Sequence, residues 1–231
     1  MPVLLLRLAG PMQAWGTQSR FTVRDTDREP SKSGVVGLLA AALGVPRDDE
    51  QRIAQIAVLR MGVRVDREGQ VATDFHTAGG TVPGRKDYGV YKANKTSPET
   101  VISHRHYLCD ADFLVGMEGD DRSWLEELDA ALANPSWPLF LGRKSFVPSV
   151  PVRIGVKDGS LEEVLRTHPW HPRAKNDSPQ PLRLLIETTD PTEEARYDQP
   201  VSFDVHRRRY RLRYIKTDWV APQEIVTAPW R

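Results

Sequence analysis

The side chains in this sequence that can move protons or hold phosphate are its histidines, tyrosines, lysines and arginines, and their spacing sets what chemistry is available. His104-Arg105-His106 on an extended segment places both imidazoles on one face, with Tyr107 next in line. A metal-free ribonuclease needs a base for the 2′-hydroxyl, an acid for the leaving oxygen and a cation for the phosphorane. His76, His104, His106, Tyr88, Tyr107 and Lys144 include all three kinds of group. The same residues also serve without chemistry, as RNA hydrogen-bond donors or as partly buried side chains. His168-Pro-Trp-His171 has a spacing that suits a metal, but no carboxylate or thiolate stands at a diagnostic distance along the chain from either histidine pair. No metal and no cofactor is expected.

Phosphate binding has better candidates. Gly142-Arg143-Lys144-Ser145 is a donor-rich turn whose backbone N–H groups, hydroxyl and two cations can hold phosphate oxygens, although a plain hairpin accounts for it equally. It lacks the glycine spacing of a nucleotide-binding P-loop. Gln13-Ala14-Trp15-Gly16 puts an indole between turn residues, where it stacks on a base or plugs the edge of a core. Charge is uneven although the 32 Lys+Arg nearly balance the 31 Asp+Glu. Residues 141–157 carry four basic side chains and no acid, residues 206–216 six and no acid, and residues 109–133 eight acids against one arginine. On a strand, Arg209, Arg211 and Arg213 would line one side and Tyr210, Leu212 and Tyr214 the other. Such a ridge suits phosphates, a solvated face or a protein contact. The acidic segment cannot face RNA and is expected on solvent or against a basic partner.

The elements that must position these residues are short, because 16 Gly and 18 Pro punctuate the chain. Val3 to Ala9 reads as a strand buried on both faces. Ser31-Lys32-Ser33-Gly34 caps a helix running to Leu43 and stopped by Gly44. Leu59 to Val65 alternates as a strand and turns at 66–69 into a second strand over 71–76. Residues 77–100 have no period and read as a protruding insertion. A strand is expected from Val101 to Met117, then a helix capped by Ser123-Trp124-Leu125-Glu126, then strands at Pro138–Leu141 and Val150–Val156. The order strand, helix, strand, strand, helix, strand is the ferredoxin-like βαββαβ pattern of an α+β protein. This domain is taken as residues 1–157. A small, mostly β region over 158–231 follows, with a helix capped at Ser160 and strand-like runs at 183–189 and 201–214. The mean hydropathy of −0.48 and the single cysteine, Cys109, suit a soluble protein of a reducing cytoplasm, with no apolar stretch long enough to span a membrane and no export signal.

Four blocks together carry a resemblance to a known family. Leu4-Leu5-Leu6-Arg7-Leu8-Ala9-Gly10-Pro11-Met12-Gln13-Ala14-Trp15-Gly16 and Ser31-Lys32-Ser33-Gly34-Val35-Val36-Gly37-Leu38-Leu39, with Leu43-Gly44, form the first two. Arg105 with Tyr107-Leu108-Cys109-Asp110-Ala111, and Leu141-Gly142-Arg143-Lys144-Ser145 leading to Pro148-Ser149, complete the set. The chain up to about residue 150 closely resembles the fifth-type CRISPR-associated (CasD) subunits of type I-E Cascade, in the RAMP superfamily. The resemblance implies a non-catalytic RNA-binding protein with an RRM-like core and a β-hairpin thumb, which would fall at residues 77–107. It implies that the protein caps the crRNA-bound backbone, grips the 5′ handle of the crRNA, adjoins the large PAM-reading subunit and meets target DNA indirectly. On that reading Arg105, Arg143 and Lys144 meet phosphates, Gln13, Ser33, His76 and Ser145 supply polar contacts, and Trp15 stacks or braces its loop. A type I-C relative is itself a metal-independent endoribonuclease that processes pre-crRNA, which is the alternative function. His104 and His106 depart from the family's usual aromatic and Glu at those positions, and so bring two imidazoles close to the expected RNA contact.

Overall fold

The computed structural model describes residues 1–19, 22–79, 90–91 and 99–229. In chain order the elements are β1 (Pro2–Ala9), β2 (Met12–Gln13), β3 (Val23–Arg24), α1 (Lys32–Leu43), α2 (Glu50–Ala57), β4 (Arg60–Arg67) and β5 (Gln70–Ala78). They continue as β6 (Val101–Cys109), β7 (Asp112–Glu118), α3 (Arg122–Ala133), β8 (Arg153–Asp158), α4 (Leu161–Thr167), β9 (Leu182–Thr188), β10 (Glu194–Ser202) and β11 (Arg209–Val220). Among the described residues no helix is long and apolar enough to cross a membrane.

β1 is apolar along its length because both of its faces are covered. Leu4, Leu6 and Leu8 pack into a cluster with Val35 and Leu39 of α1, Ile53 of α2 and Leu125 of α3. Val3 and Leu5 point the other way, onto Leu161 and Leu165 of α4. Each such side chain contributes about 1.5–3 kcal/mol on burial. Arg7, the one charge in the run, is held by Asp112 at 2.6 Å. Seven strands hydrogen-bond in the order β10-β11-β9-β4-β7-β1-β8, with each pair antiparallel. The fold is therefore α+β. Residues after 157 add α4 and three strands to the same sheet, with β9 pairing β4 through Gly62↔Ile186.

A second sheet stands apart from the first. β6 is its middle strand, with β5 along one edge from Gln70↔Cys109 to Ala78↔Val101, and β2 and β3 sharing the other. Most of the insertion expected at 77–107, namely residues 80–89 and 92–98 and with them Tyr88, lies outside the described residues.

Several expectations are corrected. The run from Val101 to Met117 is two strands in two sheets, because Asp110 adopts a left-handed φ of 56° and turns the chain between them. α3 is capped by Asp121, whose Oδ1 accepts from Ser123 N at 2.9 Å and Trp124 N at 3.2 Å, rather than by the Ser123 box. Pro138–Leu141 forms no strand, since the Leu141 main chain bonds Ala14 and Phe146 instead of a ladder. The run 201–214 splits into the ends of β10 and β11 around a turn at 203–208. α2, capped by Asp49, was not foreseen; its eight residues bury only Ile53, Ile56 and Ala57. The acidic segment divides: Asp112 holds Arg7, Glu118 holds Arg60 and Asp129 holds Arg153 at 2.6 Å, while Asp110, Asp120, Asp121, Glu126 and Glu127 are exposed on solvent, as expected.

Candidate nucleic-acid interface

Three segments far apart in sequence meet at the end of β1. Ala14 N donates to Leu141 O at 3.1 Å, while Leu141 N and Phe146 N close a tight turn on Phe146 O and Arg143 O, both at 2.8 Å. Gly142, at φ +90°, sits so close that a Cβ would lie 1.7 Å from Ala14 O, so only glycine lets the turn dock. Gln13 is fully buried: its Nε2 donates to Leu8 O at 2.9 Å and Ala111 O at 2.8 Å, and its Oε1 accepts from Trp15 Nε1 at 3.1 Å. Trp15, 2% exposed, lies against α1 where a Cβ on Gly34 would come within 2.8 Å of its ring. Gln13 thus has its amide spent inside the chain instead of free for RNA, and Trp15 takes the bracing role, one of the two expected of it, while still lining the cleft over α1. With these side chains committed to packing and internal hydrogen bonds, they brace the loop that seats the 142–145 turn.

The turn sends its two cations to opposite sides. Arg143 reaches toward the second sheet, donates to His106 O at 2.7 Å and lies 5.3 Å over the Phe146 ring, whose other contact is Tyr107. Arg105 faces the same side of β6, donating from Nε to Ser103 Oγ at 3.0 Å, and the parallel β3 sets Arg24 beside it. Asp74 opposes Arg105 across the β5–β6 ladder, and His76 lies two residues on, its Nδ1 3.8 Å from an Asp74 oxygen. Burial lowers the pKa of the Arg143 guanidinium, as do the charges of Arg105 and Arg24, against the pull of Asp74. Such crowding of like charge disfavours the cation and favours an incoming anion.

Lys144 is exposed and faces the other way, into a cleft of about 790 Å³ over α1. Ser33 and Gly34 of α1 line it together with Arg47, Trp137, Phe140, Phe203, Arg208 and Tyr210. No Asp or Glu is among the described residues that line it. Ser145 is exposed on the turn itself. Lys32, one residue from Ser33, is instead buried, its Nζ 2.8 Å from both Glu187 oxygens.

The predicted arginine ridge on β11 is broken in the same way. Arg213 is 6% exposed and binds Asp198 at 2.5 and 2.9 Å, because its side of β11 faces the core. The histidines are dispersed: His104 meets the edge of Phe75 at 5.5 Å, and His106 Nδ1 lies 2.8 Å from Thr73 Oγ1. Neither imidazole is brought against Lys144. Burial, with the charges of Arg64 and His171, drops His168 to a pKa of about 4. Among the described residues no group of three or more His, Cys, Asp or Glu could hold a metal ion. Sequence reasoning missed Arg24, Arg47, Trp137 and Phe203, which sit in aperiodic stretches; Arg208 and Tyr210 lay in a basic run whose position beside α1 no local pattern could reveal.

This arrangement has relatives. Residues 3–216 match the family model described as CRISPR-associated protein (Cas_Cas5). The "CRISPR system Cascade subunit CasD" of Escherichia coli (strain K12) is 36% identical over 168 residues, covering 68% of this chain and 72% of that protein. A solved structure described as "CRISPR RNA-guided surveillance complex" contains a chain 36% identical to this one, with a TM-score of 0.83 over 99% of this chain and 95% of that one. Another, "Crystal structure of Cas protein", is 38% identical, with a TM-score of 0.74 over 98% and 99%. With a family match over nearly its whole length, the chain belongs to the Cas_Cas5 family of CRISPR-associated proteins.

Proposed function

We propose that this protein is a non-catalytic subunit of a type I-E Cascade complex that binds and caps the 5′ handle of the crRNA. On this reading β1, α1, β4, β7, α3 and β8 are the ferredoxin-like core, since four of the sheet's strands lie in the order β4-β7-β1-β8, and the β5–β6 pair is the base of the thumb. Residues 158–231 are the C-terminal region appended to it. The backbone subunit and the large PAM-reading subunit are its protein partners, and target DNA is met only through them. The relative's name and the surveillance-complex structure support the Cascade role.

The observation that carries the RNA reading is the turn at Gly142, which sends Arg143 to the arginines of the second sheet and Lys144 to the cleft. A single strand passing over it meets cations on both sides, as single-stranded RNA requires for its phosphates. The test is mass spectrometry of the affinity-purified complex with its nucleic acid. An intact repeat-derived 5′ end and Cascade subunits are expected in the wild type, with RNA retention falling in Arg105→Ala and Lys144→Ala. Unchanged retention in both variants would remove the assignment. Site-specific cleavage of repeat RNA in EDTA that His106→Ala abolishes would replace it with the endoribonuclease reading.

A further inference from the structure

Four charged side chains meet inside the molecule beneath the start of α1: Lys32, Glu187, Asp198 and Arg213, the most exposed of them at 17%. Such a cluster is a poor source of net stability, because the cost of desolvating the charges offsets their attraction. What it supplies is direction. We propose that these four are positioning residues for RNA binding, through which the C-terminal strands β9, β10 and β11 fix the register of α1 and with it the shape of the cleft. The proposal rests on the RNA-binding reading and gives residues 158–231 a part in it.

Asp198 Oδ2 accepts from the Lys32 N–H at 2.7 Å, so β10 caps the first turn of α1 alongside Ser31, whose Oγ accepts from Gly34 N at 3.3 Å. Arg213 of β11 grips the same carboxylate at 2.5 and 2.9 Å. Glu187 of β9 takes the Lys32 ammonium on both oxygens and also accepts from Met61 N of β4 at 3.0 Å. The first residue of the helix is thus tied, directly or through Arg213, to three C-terminal strands and to the core of the sheet.

The same elements carry the cleft. Ser31 and Ser33 flank Lys32 in its lining, Phe203 follows the end of β10, and Tyr210 stands at the start of β11. Apolar packing alone does not set this arrangement, since the burial of Leu185 and Ile215 in the core cluster is non-directional and tolerates a shift of the helix. Hydrogen bonds to buried charges do not, because a displaced Lys32 would strand Glu187. None of the four charged residues is among the described residues that line the cleft, so their effect on RNA passes through the position of α1.

The test separates position from stability. Release of labelled RNA from the purified complexes is timed against excess unlabelled RNA, and urea midpoints are taken on the same preparations. Lys32→Met with Glu187→Gln keeps the volume and an acceptor for Met61 N but removes the charges that aim the helix. Its midpoint should lie well above that of Lys32→Ala, while RNA still leaves about tenfold faster than from wild type, the scale of one misaimed charge-assisted hydrogen bond. Leu161→Ala, in a buried residue of α4 on the far face of the sheet, should show the reverse: a lower midpoint with wild-type release. Wild-type release from the double variant would overturn the proposal. So would equal acceleration in Leu161→Ala, since RNA loss would then follow stability alone. Asp198→Asn keeps an oxygen for the Lys32 N–H while weakening the Arg213 pair, so it should also speed release, and it serves where the double variant does not assemble; wild-type release from it would count against the proposal equally. The parent reading fails differently, in a wild-type complex that carries no RNA at all.

Discussion

Lys32 and Lys144 are each followed by a serine that is not fully buried, and both lie beside the same cleft, yet their fates are opposite. Lys32 is fully buried, its ammonium held by both oxygens of Glu187, while its own backbone N–H donates to Asp198 at 2.7 Å. Arg213 closes the cluster, 3.9 Å from Glu187 and bonded to Asp198. Lys32 thereby ties α1 to β9 and β10, strands more than a hundred residues away in the chain. Lys144 has no such role; it stands on a turn that glycine alone allows to dock, and its head faces the cleft. A lysine in a motif is thus not a ligand contact by type. What decides is whether a buried carboxylate awaits it.

Predictions from this contrast begin with the largest effect. Lys32→Ala takes the ammonium from Glu187, a side chain only 17% exposed whose next cation, Arg213, is 3.9 Å away, and should cost about 3–5 kcal/mol in urea unfolding. Lys144→Ala should shift the same transition by no more than about 0.5 kcal/mol. Equal losses in the two would erase the distinction. Replacing both buried partners, as Lys32→Met with Glu187→Gln, should recover much of the loss, because the cost lies in the stranded charge and not in the missing pair. A double variant no better than Lys32→Ala would assign the cost to packing instead.

Acid provides a smaller handle on the buried cluster. Burial raises the pKa of Asp198, but the hydrogen bonds and charge of Arg213, the Lys32 N–H and the charge of Arg196 more than reverse this, so the group sits below its ordinary 3.8. A carboxylate held low stabilises the fold above that value and loses the contribution as pH falls through its folded pKa. The wild type should therefore lose more stability than Asp198→Asn on going from neutral pH to below 3.8, as read by urea midpoints. The smallest effect is expected on the exposed side. Lys144→Ala should flatten the log–log salt dependence of RNA binding by about 0.7, the share of one single-strand phosphate. An unchanged slope would take Lys144 off the RNA.

Much of the scaffold was legible because local patterns report burial. β1 is an apolar run broken only by Arg7 since both faces are covered, and α1 shows its cap at Ser31, its helical apolar spacing and its stop at Gly44. What escaped were places where two regular patterns abut. Residues 101–109 and 112–118 both read as strand, and nothing but the backbone at Asp110 says that they belong to different sheets. The short helix α2 escaped because its three buried side chains are too few to show a period.

For the site, the sequence alone determined which segments matter: the loop of Gln13 and Trp15, the start of α1, and the turn at Gly142 all stood out by composition and by likeness to a family. Tertiary structure decided what each side chain does there. It buried Gln13 and Trp15 as braces, satisfied Lys32 and Arg213 with carboxylates, and split Arg143 from Lys144 across one turn. It also brought Phe203, Arg208 and Tyr210 over α1 to close the cleft. The physical reason is that burial period and capping act within a few residues, so sequence carries them directly. The partner of a charge, and the side of a turn on which a cation emerges, depend on close approaches between distant segments, such as Gly142 against Ala14, which no local pattern contains.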